Sequence, residues 1–222
     1  MKELKLSAEE TKKIDSIIDV LVHQCNFNSL LINELYRGEW TNAYEEILEA
    51  NGLYFNSGAS KVVVLHDDLD WVIKAPIRTF GERWVGRIQT DNFCYAEAQV
   101  YKLAVESDLS CYFAPCFYYK TEGGIPFYVQ LKMDCNEDEL SDGVWKQVSS
   151  SYSRENYKDD DEYYEAVNEE FDNLWDDDVL YYIFDSSDLV DFVHENELND
   201  FHYGNFGYNK DGNPVLVDYS GY

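Results

Sequence analysis

The stretch between residues 53 and 75 constrains the fold more than any other part of the chain. Three short runs, LYF at 53–55, KVVVL at 61–65 and WVIKA at 71–75, are rich in β-branched and aromatic residues and are separated by the turn-forming segments NSGAS and HDDLD. Apolar runs this short, bounded by Gly, Ser and Asp, predict strands joined by tight loops. The segment from Asn92 to Glu106 instead places Phe93, Ala96, Val100, Leu103 and Ala104 at helical spacing, so a helix follows the strands. Pro115 then precedes two further strand-like runs, CFYYK and PFYVQLKM, parted by EGGI. The order strands, helix, strands predicts an α+β unit.

The flanks differ in texture. Ser7 and Glu10 form a capping-box pattern ahead of Ile14, Ile17, Ile18 and Leu21, which predicts an amphipathic helix. A second helical pattern runs from Thr41 to Ala50 with Tyr44, Ile47 and Leu48 on one face, stopped by Asn51-Gly52. Residues 1–50 therefore read as a helical extension, 51–134 as a β-rich unit with one helix, and 135–222 as a polar, acidic remainder. Within that remainder, residues 155–200 carry 18 acidic side chains and one basic one, Lys158, with aromatics at helical intervals. Helices are expected over Asp160–Trp175 and Ser187–Asn196, with a loop at 149–161. The end, NFGYNKDGNPVLVDYSGY, reads as a hairpin around an Asp-Gly turn with Asp218 at its exit.

Charge narrows the choice of partner. Across 222 residues, 44 acidic against 17 basic side chains give a formal charge of −27. A polyanion repels nucleic-acid and anionic-lipid phosphates, so direct binding to either is not expected. The same surface attracts a basic protein, including a DNA-binding protein whose groove it would fill, and it equally serves solubility. With 45% hydrophobic and 16% aromatic residues, wholesale disorder is excluded. Cys25, Cys94, Cys111, Cys116 and Cys135 form no C-x-x-C pair, which points to reduced thiols and a cytoplasmic setting. Neither a cleavable leader nor a membrane-spanning run is expected.

The chemistry-bearing residues cluster late. Asp200-Phe-His-Tyr-Gly-Asn205 precedes the hairpin that ends in Asp218-Tyr-Ser-Gly. Phosphoryl transfer needs one carboxylate to orient or deprotonate a hydroxyl, and an amide with a second carboxylate to hold hard Mg²⁺ ions. Asp200, Asn205 and Asp218 are those types. Their pattern resembles the protein-kinase-like superfamily, with Asp-x-x-x-x-Asn as catalytic loop and Asp218-Tyr-Ser-Gly where Asp-Phe-Gly would stand. His202, two after Asp200, is more similar to the Asp-x-His-x-x-Asn of small-molecule and antibiotic kinases. The short, acidic form is similar to kinase-like proteins of bacteriophages, which implies action inside an infected bacterium.

This resemblance implies a bilobal kinase-like fold with a reduced C-terminal lobe and the N-terminal helical extension. It implies ATP and Mg²⁺ as cofactors. Gly58 and Ser60 would lie in the turn over the phosphates, and Val72-Ile73-Lys74 resembles Val-Ala-Ile-Lys, with Lys74 reaching the α- and β-phosphates. Glu97 would pair with Lys74, and Gln130 to Asp134, including Lys132 and Met133, would form the hinge for adenine. Asp200 would position the acceptor hydroxyl, and Asn205 and Asp218 would hold metal.

Departures leave alternatives open. Leu198-Asn199 replaces the usual His-Arg, and no activation segment follows Asp218 before Tyr222, which implies another surface for any protein substrate. A pseudokinase that binds a basic partner, or an acidic nucleic-acid mimic needing no nucleotide, fits the same sequence. Residue by residue, Lys74 can be a snorkelling strand lysine, Glu97 a surface helix residue, and Asp200 and Asn205 turn formers. Asp218 after a buried run is harder to explain without a partner or metal.

Overall fold

A computed structural model describes residues 5–27, 37–57, 60–76, 83–174, 176–199 and 201–219. The element order is α1 (Ala8–Asp19) continued by a π-helical turn (Val20–Gln24), α2 (Arg37–Ala50), β1 (Leu53–Ser57), β2 (Lys61–His66), β3 (Trp71–Pro76), β4 (Arg83–Val85), β5 (Ile88–Thr90), α3 (Phe93–Glu106), β6 (Cys116–Glu122) and β7 (Ile125–Leu131). Then follow α4 (Glu137–Ser150), α5 (Asp160–Asp172), α6 (Asp176–Phe184), α7 (Ser187–Glu195) and the hairpin β8 (Phe206–Tyr208) and β9 (Pro214–Leu216). The protein is α+β. Its main sheet is antiparallel, in the order β1-β2-β3-β7-β6.

Side chains of this sheet alternate between two different neighbours, because successive residues of a strand point to opposite faces. Val62, Val64, Ile73, Ala75, Phe127 and Val129 share one apolar cluster with Ile14, Ile17, Ile18 and Leu21 of the first helical segment. That helix starts where the sequence places it. Glu10 N–H donates to Ser7 Oγ at 3.1 Å, and Ser7 N–H donates to Glu10 Oε2 at 2.6 Å, a reciprocal cap that stabilises by about 1 kcal/mol. Each buried Ile or Leu on its inner stripe adds about 1.5–3 kcal/mol. The described part of the first 50 residues is thus tied to the sheet as a covering layer.

The opposite face carries Lys61, Val63 and Leu65 of β2, Val72 and Lys74 of β3, and Tyr128 and Gln130 of β7, since Val63 lies opposite Lys74, Lys74 opposite Tyr128, and Val72 opposite Gln130. The α3 helix packs near β6 on this side through Cys94, Val100 and Ala104, in a cluster that continues to Phe113, Leu180, Phe192, Leu216 and Tyr219. All six residues of β3 are buried. That explains a strand with no polar alternation except Lys74, because a central strand covered on both faces needs apolar residues on both.

Four elements differ from the expectation. The α4 helix occupies a stretch read only as polar, α6 lies between the two acidic helices, and β4 and β5 form a small hairpin around Gly86. The segment expected as a loop at 149–161 begins inside α4, includes a 3₁₀ turn at Arg154–Asn156, and ends in the first turn of α5. The helix expected over Asp160–Trp175 ends at Asp172, and Ser187–Asn196 is matched by α7 with Asn196 as its C-cap. Among the described residues, no helix is long and apolar enough to cross a membrane.

Candidate functional site

The cation on β3 is buried against the helix that follows. Asn92 caps α3 by accepting from Tyr95 N–H at 2.9 Å, and its own amide donates to the Tyr128 hydroxyl of β7 at 3.1 Å. This pins the start of α3 to the sheet and places Glu97, one turn further on, against the lysine face. Lys74 Nζ donates to Glu97 Oε2 at 2.8 Å. A second lysine completes the arrangement: Lys61 Nζ donates to Glu97 Oε1 at 2.6 Å and to Asp218 Oδ1 at 2.7 Å.

The result is a chain of four charges, Lys74, Glu97, Lys61 and Asp218, in which two ammonium groups balance two carboxylates. Both lysine side chains are 5% exposed and Glu97 is fully buried, while Asp218 is 39% exposed toward the cleft. Burial is the strongest single influence on Lys74 and pulls it down, but the charge of Glu97, joined by Cys116 and Asp218, leaves the ammonium above its ordinary range. Lys61 is likewise opposed by burial and raised well above the usual lysine range by Glu97 and Asp218. Asp218 is opposed by its own burial and still held far below the usual carboxylate range, chiefly by the charge of Lys61. Among the described residues no buried side-chain nitrogen or oxygen lacks a hydrogen-bond partner.

The backbone after β9 is clamped at the same point. Val217 carbonyl accepts from Lys74 Nζ at 3.3 Å and from Gln130 Nε2 at 2.9 Å, and Val217 N–H donates to the Asn205 carbonyl at 2.8 Å. Tyr219, buried, donates its hydroxyl to the Ala114 carbonyl at 2.7 Å. Burial pushes the Cys116 thiol, 4.0 Å from Glu97 Oε2, well above its ordinary value.

A cleft of about 380 Å³ opens beside this cluster. Its charged and polar end is lined by Lys61, Lys74, Asn205 and Asp218, and its apolar part by Val63, Leu65, Val72, Leu131 and Met133. Lys132 and Met133 lie at its edge, where Lys132 N–H is committed to Asp70 carbonyl at 2.8 Å and Asp134 N–H to Tyr208 carbonyl at 3.0 Å. The β8 strand approaches this edge closely: a Cβ at Gly207 would lie 3.1 Å from Asp134 carbonyl oxygen.

Of the residues singled out by sequence, the fold brings Lys74, Glu97, Lys132, Met133, Asn205 and Asp218 to one place. Ser60 is buried and is not among the residues lining the cleft. Gly58 and Asp200 lie outside the described residues. His202 accepts from Gly204 N–H through Nδ1 at 3.2 Å, a local turn-forming bond. Sequence reading missed Lys61 altogether, and it missed the part Gln130 plays in fixing Val217.

The donor set is one of hard oxygens. Asp218 and Asn205 suit Mg²⁺, which takes one or two protein carboxylates together with substrate phosphates; among the described residues no group of three His, Cys, Asp or Glu stands ready to hold a metal by itself. The residues therefore fit a metal that arrives with a phosphate, and they give Asp218 an ammonium partner otherwise. The described structure defines an α+β protein with a buried lysine–carboxylate tetrad at the end of a largely apolar cleft. No family model matches the chain, and no curated protein matches it.

Proposed function

We propose that the protein is kinase-like, with the bilobal arrangement that the resemblance implies, and that the cleft takes Mg²⁺-ATP for transfer of the γ-phosphoryl group to an acceptor hydroxyl. The observation that carries this reading is the pairing of Lys74 with Glu97 at 2.8 Å, directly beside Asp218 from the far end of the sequence. Lysine on the third strand, glutamate on the next helix and an acid after the terminal hairpin are brought together, in the order the family resemblance requires. The volume of about 380 Å³ lies within the range of small-molecule sites, and its apolar stretch suits a flat base with phosphates at the lysine end.

In this reading Lys74 binds the phosphates and Glu97 orients Lys74. Lys132 and Met133 border the base, and Asp200 positions the acceptor hydroxyl. Asn205 and Asp218 hold the metal, which supplies neutralisation of phosphate charge. Lys61 on Asp218 favours a second reading, a pseudokinase that binds nucleotide without turnover. In it the acidic helices serve a basic protein partner.

ATP with Mg²⁺ tests the first requirement. At a hundredfold excess over Kd, binding adds about 2.7 kcal/mol, or roughly 5–11 °C in Tm for a domain of this size. Lys74→Ala should lose that shift. Transfer of labelled phosphate to protein or lysate, lost in Asp200→Ala, separates the enzyme from the silent form. Absence of any ATP-dependent shift in the intact protein would refute nucleotide binding.

A further inference from the structure

Asp218 already has a cation on it. Lys61 Nζ sits 2.7 Å from Asp218 Oδ1 and 2.6 Å from Glu97 Oε1, with its side chain 5% exposed, so the ammonium is enclosed between the two carboxylates. Lys74 neutralises Glu97 from the other side at 2.8 Å. Taking Lys61 away would leave two carboxylates, the buried Glu97 and the cleft-lining Asp218, against one ammonium, one net negative charge, which is the condition that draws a divalent ion. With Lys61 in place that charge is cancelled, and an ion at Asp218 would stand against an ammonium at contact distance.

We propose that Lys61 is a tethered counter-ion that keeps divalent metal off Asp218 until a phosphate draws the ammonium away, so that metal enters the cleft only together with its phosphate carrier. The identity of that carrier as a nucleotide rests on the reading above. Three features of the geometry make the exchange workable. Lys61 and Lys74 project from the same face of adjacent strands and both line the cleft, so a phosphate held by Lys74 lies within reach of Lys61. An ammonium is a rotatable point charge on a flexible stem, able to keep Glu97 while exchanging Asp218 for a phosphate oxygen. Asp218 is the most exposed member of the tetrad, and it lines the cleft beside the two lysines.

Mn²⁺ serves as the probe, followed by loss of the free-ion electron paramagnetic resonance signal in the full-length protein. Without nucleotide, wild type should show only the weak uptake of its acidic surface. Lys61→Gln should add one site at least about tenfold tighter, as expected for removing one partly screened unit charge at contact distance. Lys61→Gln combined with Asp218→Asn should lose that site, which separates it from the surface carboxylates common to all variants. Adding ATP to wild type should create a site, read as Mn²⁺ retained with the protein on separation from free Mn²⁺–ATP, that Asp218→Asn abolishes, and together with the nucleotide-free wild type this arm decides the matter even if Lys61→Gln does not fold. An Asp218-dependent Mn²⁺ site in wild type without nucleotide would overturn the proposal, as would equal binding by wild type and a folded Lys61→Gln. If ATP does not bind, the nucleotide reading falls and the nucleotide-free comparison still decides the role of Lys61.

Discussion

Replacing Glu97 by Gln keeps the shape of the side chain and removes its charge, which leaves two enclosed ammonium groups with one carboxylate between them. Glu97 is fully buried and accepts from Lys61 at 2.6 Å and from Lys74 at 2.8 Å, so no water can take its place without rearrangement. Removing one partner of a buried pair costs about 3–5 kcal/mol. With about 2–4 °C per kcal/mol for a domain of this size, Tm should fall by roughly 6–20 °C. The pH dependence follows from the balance on Lys74. Burial lowers it, and Glu97 together with its weaker neighbours Cys116 and Asp218 reverses that; without Glu97, burial and the charge of Lys61 prevail and bring it below the ordinary lysine value of about 10.4. A lysine lowered in the folded state binds fewer protons folded than unfolded, so stability of the variant rises with pH toward that value. Circular-dichroism melts of wild type and Glu97→Gln between about pH 7 and about pH 10 measure the difference, which cancels the titration of groups common to both. The deficit should shrink as pH rises. Adding Lys74→Met to Glu97→Gln leaves Lys61 facing Asp218 alone, which restores neutrality, and should recover much of the loss. A deficit below about 1 kcal/mol that does not change with pH would refute the claim that the tetrad is a closed, balanced unit.

Two further outcomes test the packing around the tetrad. Cys111 and Cys135 are exposed while Cys25, Cys94 and Cys116 are buried, and burial raises Cys94 to about 12. A thiol-reactive disulfide should therefore consume two thiols in the native protein and the other three only on unfolding; rapid reaction of Cys94 or Cys116 would contradict the enclosure of Glu97. Gly86 has a φ of +55°, and a Cβ there would lie 2.1 Å from Asn196 carbonyl oxygen. Gly86→Ala should cost roughly 2–5 kcal/mol by combining a left-handed conformation with overpacking, and a melting temperature within about 1 °C of wild type would show that the β4–β5 hairpin is not seated on the end of α7.

The sequence makes most strands and five of the seven described helices legible because their signals are local. The Ser7–Glu10 box, the stripe from Phe93 to Ala104 and the Asp-Gly turn before Pro214 each specify their own conformation. The helix α4 hides because Gly143 interrupts it and its apolar stripe is only Leu140, Val144 and Val148, with a Cβ at Gly143 meeting nothing within 4 Å. Lys74 and Glu97 are recoverable from motif order. Lys61 is not, since a lysine opening a strand looks like a solvated edge residue, and only the pairing of Val63 with Lys74 shows that position 61 shares the lysine face. Its bond to Asp218 spans 157 residues and leaves no trace in local pattern.

That span has a temporal side. On a ribosome working at about 5–20 residues per second, Lys61 emerges roughly 8–30 s before Asp218, whereas its other partner, Glu97, follows after only 36 residues. For that interval the nascent sheet and α3 hold two cations against one anion, a half-finished arrangement that resists burial. Docking of the β8–β9 hairpin supplies the missing charge, so the N-terminal two-thirds of the polypeptide should settle only as a late, concerted event. A stalled or nicked chain lacking those strands would be expected to stay open to proteases and chaperones.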